Sequence, residues 1–353
     1  MSEKVNVTLA LPLAAELLDR VRGVDGRLQV TALTRAQRRV YRGGRPLWLG
    51  YQEPPQPEDE SDEEATARLQ EILARTEVIL SNPVVPEEIV SRAPHLKWLQ
   101  LTSAGVDRLL DAGVVRSQVK VTTASGIHAT SISEYIIGAM LAFAKGFPRA
   151  IQAQAERAWT SYLPPELEGA TVGIIGMGAI GRRTAELAKG FRMRVLGMRR
   201  SVTTRTAATG DPSFDEYVPP ADLPYLLRES DYVVLAAPLT PETRQMIGEA
   251  ELRSMKPGAV IVNIARGAVI DEGALVRALK EGWIAGAALD VFEREPLPAE
   301  SELWGLRNVL LTPHISGGTP RYMERAVELF CDNLRRYLAG EPLRNVVDVR
   351  RGY

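Results

Sequence analysis

The sequence predicts an α/β protein of two doubly wound parallel-sheet domains, and three observations carry that reading. Short apolar, β-branched runs alternate with helical patterns along most of the chain, the order expected of repeated βα units. One such run, Thr171–Ile175, leads into Gly176-x-Gly178-x-x-Gly181, and helix-forming residues follow from Arg182 to Lys189. The chain has 353 residues, 45% of them hydrophobic, enough for two domains with sizeable cores.

In chain order, Val5–Leu9, Leu28–Leu33, Glu77–Leu80, Trp98–Leu101 and Val119–Thr122 read as strands. Helical patterns lie between them, beginning with the amphipathic Leu13–Val21. Residues 1–128 thus form one α/β domain. Tyr41 to Glu64 interrupts the pattern with Gly43-Gly44, Pro54-Pro55, Pro57 and the acidic run Glu58–Glu64. We read it as an exposed loop feeding a helix with an acidic first turn; the alternative is an active-site or partner-binding flap carrying Trp48 and Tyr51. A long helix is expected over Thr130–Phe147, with Ser131-x-x-Glu134 as a capping box, and then an arm from Arg149 to Tyr162. The regular pattern from Thr171 continues with strands at Arg194–Gly197, Tyr232–Ala236, Ala259–Ile264, Ala285–Leu289 and Val309–Leu311, separated by helical stretches. Residues 129–317 therefore form a second domain. The remaining 318–353, with a helix over Arg321–Leu338, are too few for a third and rejoin the first.

The glycines give the second domain a task. Gly176 permits a sharp turn, Gly178 lets the backbone approach a pyrophosphate, and Gly181 lets the helix pack on the strand. Ala179 and Ile180 open that helix, whose N–H groups and dipole favour phosphate. This is a Rossmann dinucleotide-binding pattern. In such a domain an acidic residue at the end of the second strand binds the adenosine ribose. Here that strand ends in Arg199-Arg200-Ser201, with Arg205 beyond. A carboxylate would repel a 2′-phosphate, whereas guanidinium groups bind it, so NADP(H) is favoured, with NAD(H) as the alternative.

A formal net charge of −1 and the lack of a basic tract give no support for nucleic-acid binding. The single cysteine, Cys331, excludes an internal disulfide and a cysteine-rich metal site; its helical setting suggests a buried structural thiol. No metal is expected. No apolar run approaches the ~18 residues of a membrane span, and the expected location is the cytoplasm.

Three polar clusters follow later strands, at the ends where ligands of such sheets bind. They are Asn263-Ile264-Ala265-Arg266-Gly267, Leu289-Asp290-Val291-Phe292-Glu293-Arg294-Glu295-Pro296, and Leu311-Thr312-Pro313-His314-Ile315-Ser316-Gly317-Gly318. With the glycine fingerprint they resemble the signatures of the D-isomer-specific 2-hydroxyacid dehydrogenases, a family that includes glyoxylate/hydroxypyruvate reductases, D-lactate dehydrogenases and 3-phosphoglycerate dehydrogenases. The resemblance runs from about Val78 to Val347.

It implies a Rossmann domain inserted in a discontinuous, flavodoxin-like substrate-binding domain, and hydride transfer between a nicotinamide and a small 2-keto or D-2-hydroxy acid. Arg266 matches the arginine that holds the substrate carboxylate, His314 the acid/base, and Glu295 the carboxylate paired with it. An imidazole with an ordinary pKa near ~6.5 suits proton transfer near neutrality. Arginine offers a charged fork to a planar carboxylate. Asp290 matches a contact to the nicotinamide carboxamide. Ala237, Pro238 and Thr243 match the lining of the cofactor cleft, which Ile264, Ala265, Arg266, His314 and Gly317 complete. Ser103-Ala104-Gly105-Val106-Asp107 resembles the loop whose N–H groups bind the substrate carboxylate, beside Arg266 and His314.

Glu293 is a rival to Glu295. His95 reads as a helix-end residue, and His128 as structural, with a place in the substrate pocket as the alternative. The family further implies a homodimer built through the nucleotide domains and the Thr130–Tyr162 arm. Competing functions are an NAD-dependent 3-phosphoglycerate or D-lactate dehydrogenase, and a corepressor-like protein that binds the dinucleotide as a ligand.

Overall fold

The structure is a computed structural model that describes residues 4–45, 60–106, 113–114 and 117–348. The chain forms two compact units, residues 1–127 with 319–353, and residues 128–318. Unit 1 holds a five-stranded sheet of β1 (Val5–Leu9), β2 (Leu28–Ala32), β3 (Val78–Ser81), β4 (Trp98–Leu101) and β5 (Lys120–Thr122), in the order β2-β1-β3-β4-β5. Every pairing is parallel, so the connections cross over through α1 (Ala15–Arg22), α2 (Arg35–Tyr41), α3 (Asp62–Arg75) and α4 (Ile89–Arg92). Ser61 caps α3 in a reciprocal pair with Glu64, and Asp62, Glu63 and Glu64 occupy its first turn. The end of the acidic run therefore starts a helix; Trp48 and Tyr51 lie outside the described residues.

Unit 2 begins with α5 (Ala129–Ala144) and α6 (Phe147–Ala155). The single helix expected over Thr130–Phe147 is broken because Gly146 adopts φ +67°, and Pro148 then sits in a first turn where its missing N–H costs nothing. The expected Ser131–Glu134 capping box does not form. The helix starts at Ala129, one residue before the expected Thr130, with His128 as its N-cap, and the Ser131 hydroxyl instead donates to the carbonyls of Ser316 and Gly318 at 2.8 and 3.0 Å.

The eight-stranded sheet of unit 2 contains β6 (Thr171–Ile175), β7 (Arg194–Met198), β8 (Thr206–Ala207), β9 (Glu216–Val218), β10 (Tyr232–Leu235), β11 (Val260–Asn263), β12 (Gly286–Leu289) and β13 (Val309–Leu311). Its order is β13-β12-β11-β10-β6-β7-β9-β8. All pairs are parallel except β8 with β9. The sequence does not signal these two short strands, because β8 is exposed and β9 spans only three residues with a single buried apolar side chain, Val218. Helices α7 (Ala179–Gly190), α8 (Leu223–Glu229), α9 (Glu249–Ser254) and α10 (Glu272–Glu281) cover the sheet, and two apolar clusters fill its faces. The chain crosses from β6 outward to β7 and then returns to β10 on the other side of β6. The carboxyl end of β6 is therefore the topological switch point, where such sheets bind ligands.

The last helix, α11 (Tyr322–Ala339), completes unit 1. Val327, Phe330, Cys331 and Leu334 join Val78, Leu80 and Trp98 in one core, and the Trp98 and Phe330 ring centroids lie 5.3 Å apart. Burial pushes the Cys331 thiol up, as expected of an inert structural cysteine. Buried Asn333 donates to Gln100 and to the Arg344 carbonyl, and accepts from the Arg344 N–H. Val346 then bridges Thr122 in antiparallel fashion, so the tail covers the β5 edge of the sheet.

Candidate active site

The nucleotide turn has the geometry its glycines predict. Gly176 follows β6 with φ +107°, and a Cβ there would lie 2.6 Å from the backbone carbon of Ala236. Gly181 is equally constrained, since a Cβ would meet the Gly176 carbonyl oxygen at 1.9 Å. Beside Gly178 the space is open, and this residue begins α7 with no side-chain cap. The helix start at Ala179 and Ile180 thus offers backbone N–H groups to an anion. Arg199, Arg200 and Ser201 are exposed just past β7. Arg205 pairs with Glu216 at 3.3 Å and lies 4.0 Å over the Tyr225 ring. Ala237 and Pro238 follow β10, where the Thr243 hydroxyl donates to the Pro238 carbonyl and accepts from Thr240 N–H. The glycine turn and helix start could hold a dinucleotide by its anionic pyrophosphate.

Arg266 stands on the loop after β11. Asn263 shapes that loop: its amide donates to the Arg266 carbonyl at 3.0 Å and its oxygen accepts from Ala265 N–H. Ile264 and Ala265 are buried, while the Arg266 side chain stays partly exposed and donates to the Ala265 carbonyl at 2.7 Å. Gly267 lets two loops touch. A Cβ there would lie 1.9 Å from the backbone carbon of Phe292, so the Arg266 loop and the Glu295 loop meet backbone to backbone.

Glu295 and His314 form the centre of the site. The Glu295 carboxylate accepts from His314 Nδ1 at 2.9 Å with one oxygen and from Phe292 N–H at 3.1 Å with the other. The two side chains are 21% and 27% exposed. Burial raises the Glu295 carboxyl, but the His314 hydrogen bond and charge, the Phe292 N–H and the Arg266 charge outweigh it. Its pKa is held below the ordinary value. The group is therefore an ionised acceptor near neutrality, and an acceptor on Nδ1 fixes which ring nitrogen carries that proton. His314 adopts φ +53°, a left-handed backbone that costs a non-glycine residue on the order of 1–3 kcal/mol. Glu293 makes no such pairing; it is exposed, with its backbone N–H donating to Glu272.

Asp290 is 0% exposed. Its two oxygens accept from the Thr312 hydroxyl (2.6 Å), Ile315 N–H (2.8 Å) and Ser316 N–H (2.9 Å). In this structure the carboxylate serves the loop that carries His314. Thr312 was part of a sequence cluster without a role, and Tyr135, whose hydroxyl lies 2.8 Å from Thr312 Oγ1, was not singled out. The signal in the sequence was the spacing of His128, Ser131 and Tyr135, which brings them to one face of the helix. His128 Nδ1 lies 3.4 Å from the Gly317 carbonyl.

Ser103, Ala104 and Gly105 belong to unit 1, on the loop after β4. There the Ser103 hydroxyl donates to the Gly105 carbonyl and the Ser103 carbonyl accepts from Ala124 N–H. Asp107 lies outside the described residues. His95 is in an exposed turn. Among the described residues no group of three or more His, Cys, Asp or Glu could hold a metal ion, and no helix is long and apolar enough to cross a membrane.

Residues 137–316 match the family model described as D-isomer specific 2-hydroxyacid dehydrogenase, NAD binding domain. A glyoxylate reductase of Thermococcus litoralis is 39% identical over 283 residues, 77% of this chain and 82% of that protein. A D-isomer specific 2-hydroxyacid dehydrogenase of Xanthobacter autotrophicus, solved in complex with NADPH and MES, superposes with a TM-score of 0.78 at 28% identity, covering 100% of both chains. An NADPH-dependent glyoxylate/hydroxypyruvate reductase of Sinorhizobium meliloti, solved with NADP and sulfate, has a TM-score of 0.76 at 25% identity, covering 99% of this chain and 100% of that one.

Proposed function

The chain belongs to the D-isomer specific 2-hydroxyacid dehydrogenases, oxidoreductases acting on CH–OH groups, and we propose that it reduces a small 2-keto acid of the glyoxylate or hydroxypyruvate type with NADPH. The observation that carries this reading is the His314–Glu295 pair at 2.9 Å, whose Glu295 loop packs against the loop bearing Arg266. When bound, NADPH would supply the hydride that the keto carbon accepts. Arg266 pairs with the substrate carboxylate and polarises the keto oxygen. His314, with Nδ1 engaged by Glu295, delivers a proton from Nε2 to that oxygen, and Glu295 stabilises the imidazolium before transfer. In the direction of oxidation the same nitrogen takes the hydroxyl proton. Gly176, Gly178, Ala179, Ile180 and Gly181 hold the pyrophosphate, and Arg199, Arg200 and Ser201 the 2′-phosphate. The NADPH and NADP bound to the two solved relatives support that assignment.

The test is NADPH and NADH oxidation over a panel of 2-keto acids, by the parent and by Arg199→Gln/Arg200→Gln. The parent should turn over glyoxylate or hydroxypyruvate with NADPH preferred. The double variant should raise the NADPH KM roughly 10–100-fold, the loss of one or two charge-assisted hydrogen bonds, with NADH kinetics little changed. Equal use of both nucleotides by the parent would remove the 2′-phosphate assignment; no turnover on the panel would remove the reductase reading.

We also infer a homodimer through the arm. Helix α6 buries none of its residues, and Trp159 and Leu163 are 99% and 98% exposed, an apolar display that a folded chain rarely leaves to water. The parent should sediment as a dimer and Trp159→Ala/Leu163→Ser should move toward monomer. A monomeric parent would end this inference.

A further inference from the structure

We propose that α5 positions the acid/base histidine: Tyr135 and Ser131 grip the loop 312–318 from one helix face while Asp290 holds it from the sheet. The proposal rests on the reading of His314 given above and adds residues that do not touch substrate.

The hydrogen bonds run in one direction. The Thr312 hydroxyl has a single proton, which goes to Asp290 at 2.6 Å. The 2.8 Å contact with Tyr135 must then be a donation from the phenol to Thr312 Oγ1. Burial pushes the Tyr135 phenol up to about 12, although Thr312 opposes it and the Asp290 charge adds to it. The donor is thus protonated throughout the working range. Asp290 meanwhile takes the Ile315 and Ser316 N–H groups, so one carboxylate binds the chain on both sides of His314. Ser131, four residues before Tyr135 and on the same helix face, takes the far end of the loop through the Ser316 and Gly318 carbonyls. Between these holds lies the left-handed His314, a conformation that persists only where its surroundings over-determine it. Relaxation toward ordinary backbone would swing Nδ1 away from Glu295.

The experiment compares Tyr135→Phe, Thr312→Val and Thr312→Ser in the full-length protein. The first readout needs no substrate: the low-field imidazole Nδ1–H resonance of the His314–Glu295 pair, assigned by its absence in His314→Ala. It should be sharp in the parent and in Thr312→Ser, and broadened or lost in Tyr135→Phe and Thr312→Val. The second is the kinetic split. Tyr135→Phe should lower kcat roughly three- to tenfold and Thr312→Val on the order of tenfold or more, as loss of one and two hydrogen bonds implies. NADPH KM should stay unchanged and Thr312→Ser should restore turnover. A parent-like resonance and kcat in both Tyr135→Phe and Thr312→Val would overturn the proposal. So would an equal loss in Thr312→Ser, because the hydroxyl would then not be what matters. Should Thr312→Val fail to fold, Tyr135→Phe decides. A parent without turnover on any keto acid would end the reductase reading, while the resonance would still judge the positioning.

Discussion

Replacing His314 by alanine is expected to lower kcat for keto acid reduction by about 10²–10⁴-fold, the range that a positioned general acid contributes, with NADPH affinity nearly intact. The split follows from placement. The proposed nucleotide contacts are the glycine turn after β6 and the arginines after β7, whereas His314 lies past β13 at the opposite side of the same sheet. His314→Ala also releases the Glu295 carboxylate from its main partner, leaving a half-buried anion with the Phe292 N–H and the more distant Arg266 charge. Isothermal titration with NADPH alongside steady-state rates reads both quantities. Parent-like turnover would remove the acid/base role.

Arg266→Gln should cost about 10²–10³-fold in kcat/KM for the keto acid. Two charge-assisted hydrogen bonds at about 1.5–3 kcal/mol each, reduced by what the neutral amide retains, correspond to that range at 1.4 kcal/mol per tenfold. Because the proposed role of the charge is to polarise the keto oxygen as well as to bind the carboxylate, kcat should fall and substrate KM rise together. Glutamine keeps part of the bulk without the charge, and the Asn263 bonds go to the backbone of residues 265 and 266, so they are kept. Thermal stability close to the parent's then separates loss of binding from loss of the loop. An unchanged substrate KM would remove Arg266 from the carboxylate.

The parts of the fold readable from sequence were those in which burial writes a pattern. Runs such as Val260–Asn263 and Tyr232–Leu235 are buried along their whole length, so they stand out as continuous apolar segments. The β8–β9 pair, two and three residues long with Val218 alone buried, left no such trace. The helix break at Gly146 and the earlier start at His128 were set by backbone conformation and by the Ser316 and Gly318 carbonyls, which lie more than 180 residues away in sequence. The site divides likewise. Gly176 and Gly181 are required by local geometry, and with Gly178 they are visible as spacing. His314 and Glu295 were recognised through motif resemblance, since nothing local tells that residues 19 apart will meet. The Tyr135–Thr312–Asp290 chain joins three separate elements, and only the folded structure shows it.

The second unit starts and finishes at one place. His128 Nδ1 is 3.4 Å from the Gly317 carbonyl, and the Ser131 hydroxyl bonds the Gly318 carbonyl. Unit 1 must bring Ile127 and Thr319 into a single fold across this insertion. Across an unfolded insert it would close a loop of roughly 190 residues; across a folded one it closes a gap of only a few. Since loop-closure entropy grows as (3/2)RT ln n, that difference amounts to about 3 kcal/mol. Formation of the inner unit thus removes most of the chain-entropy penalty on the outer one. The joined ends couple the stabilities of two cores that share no strand.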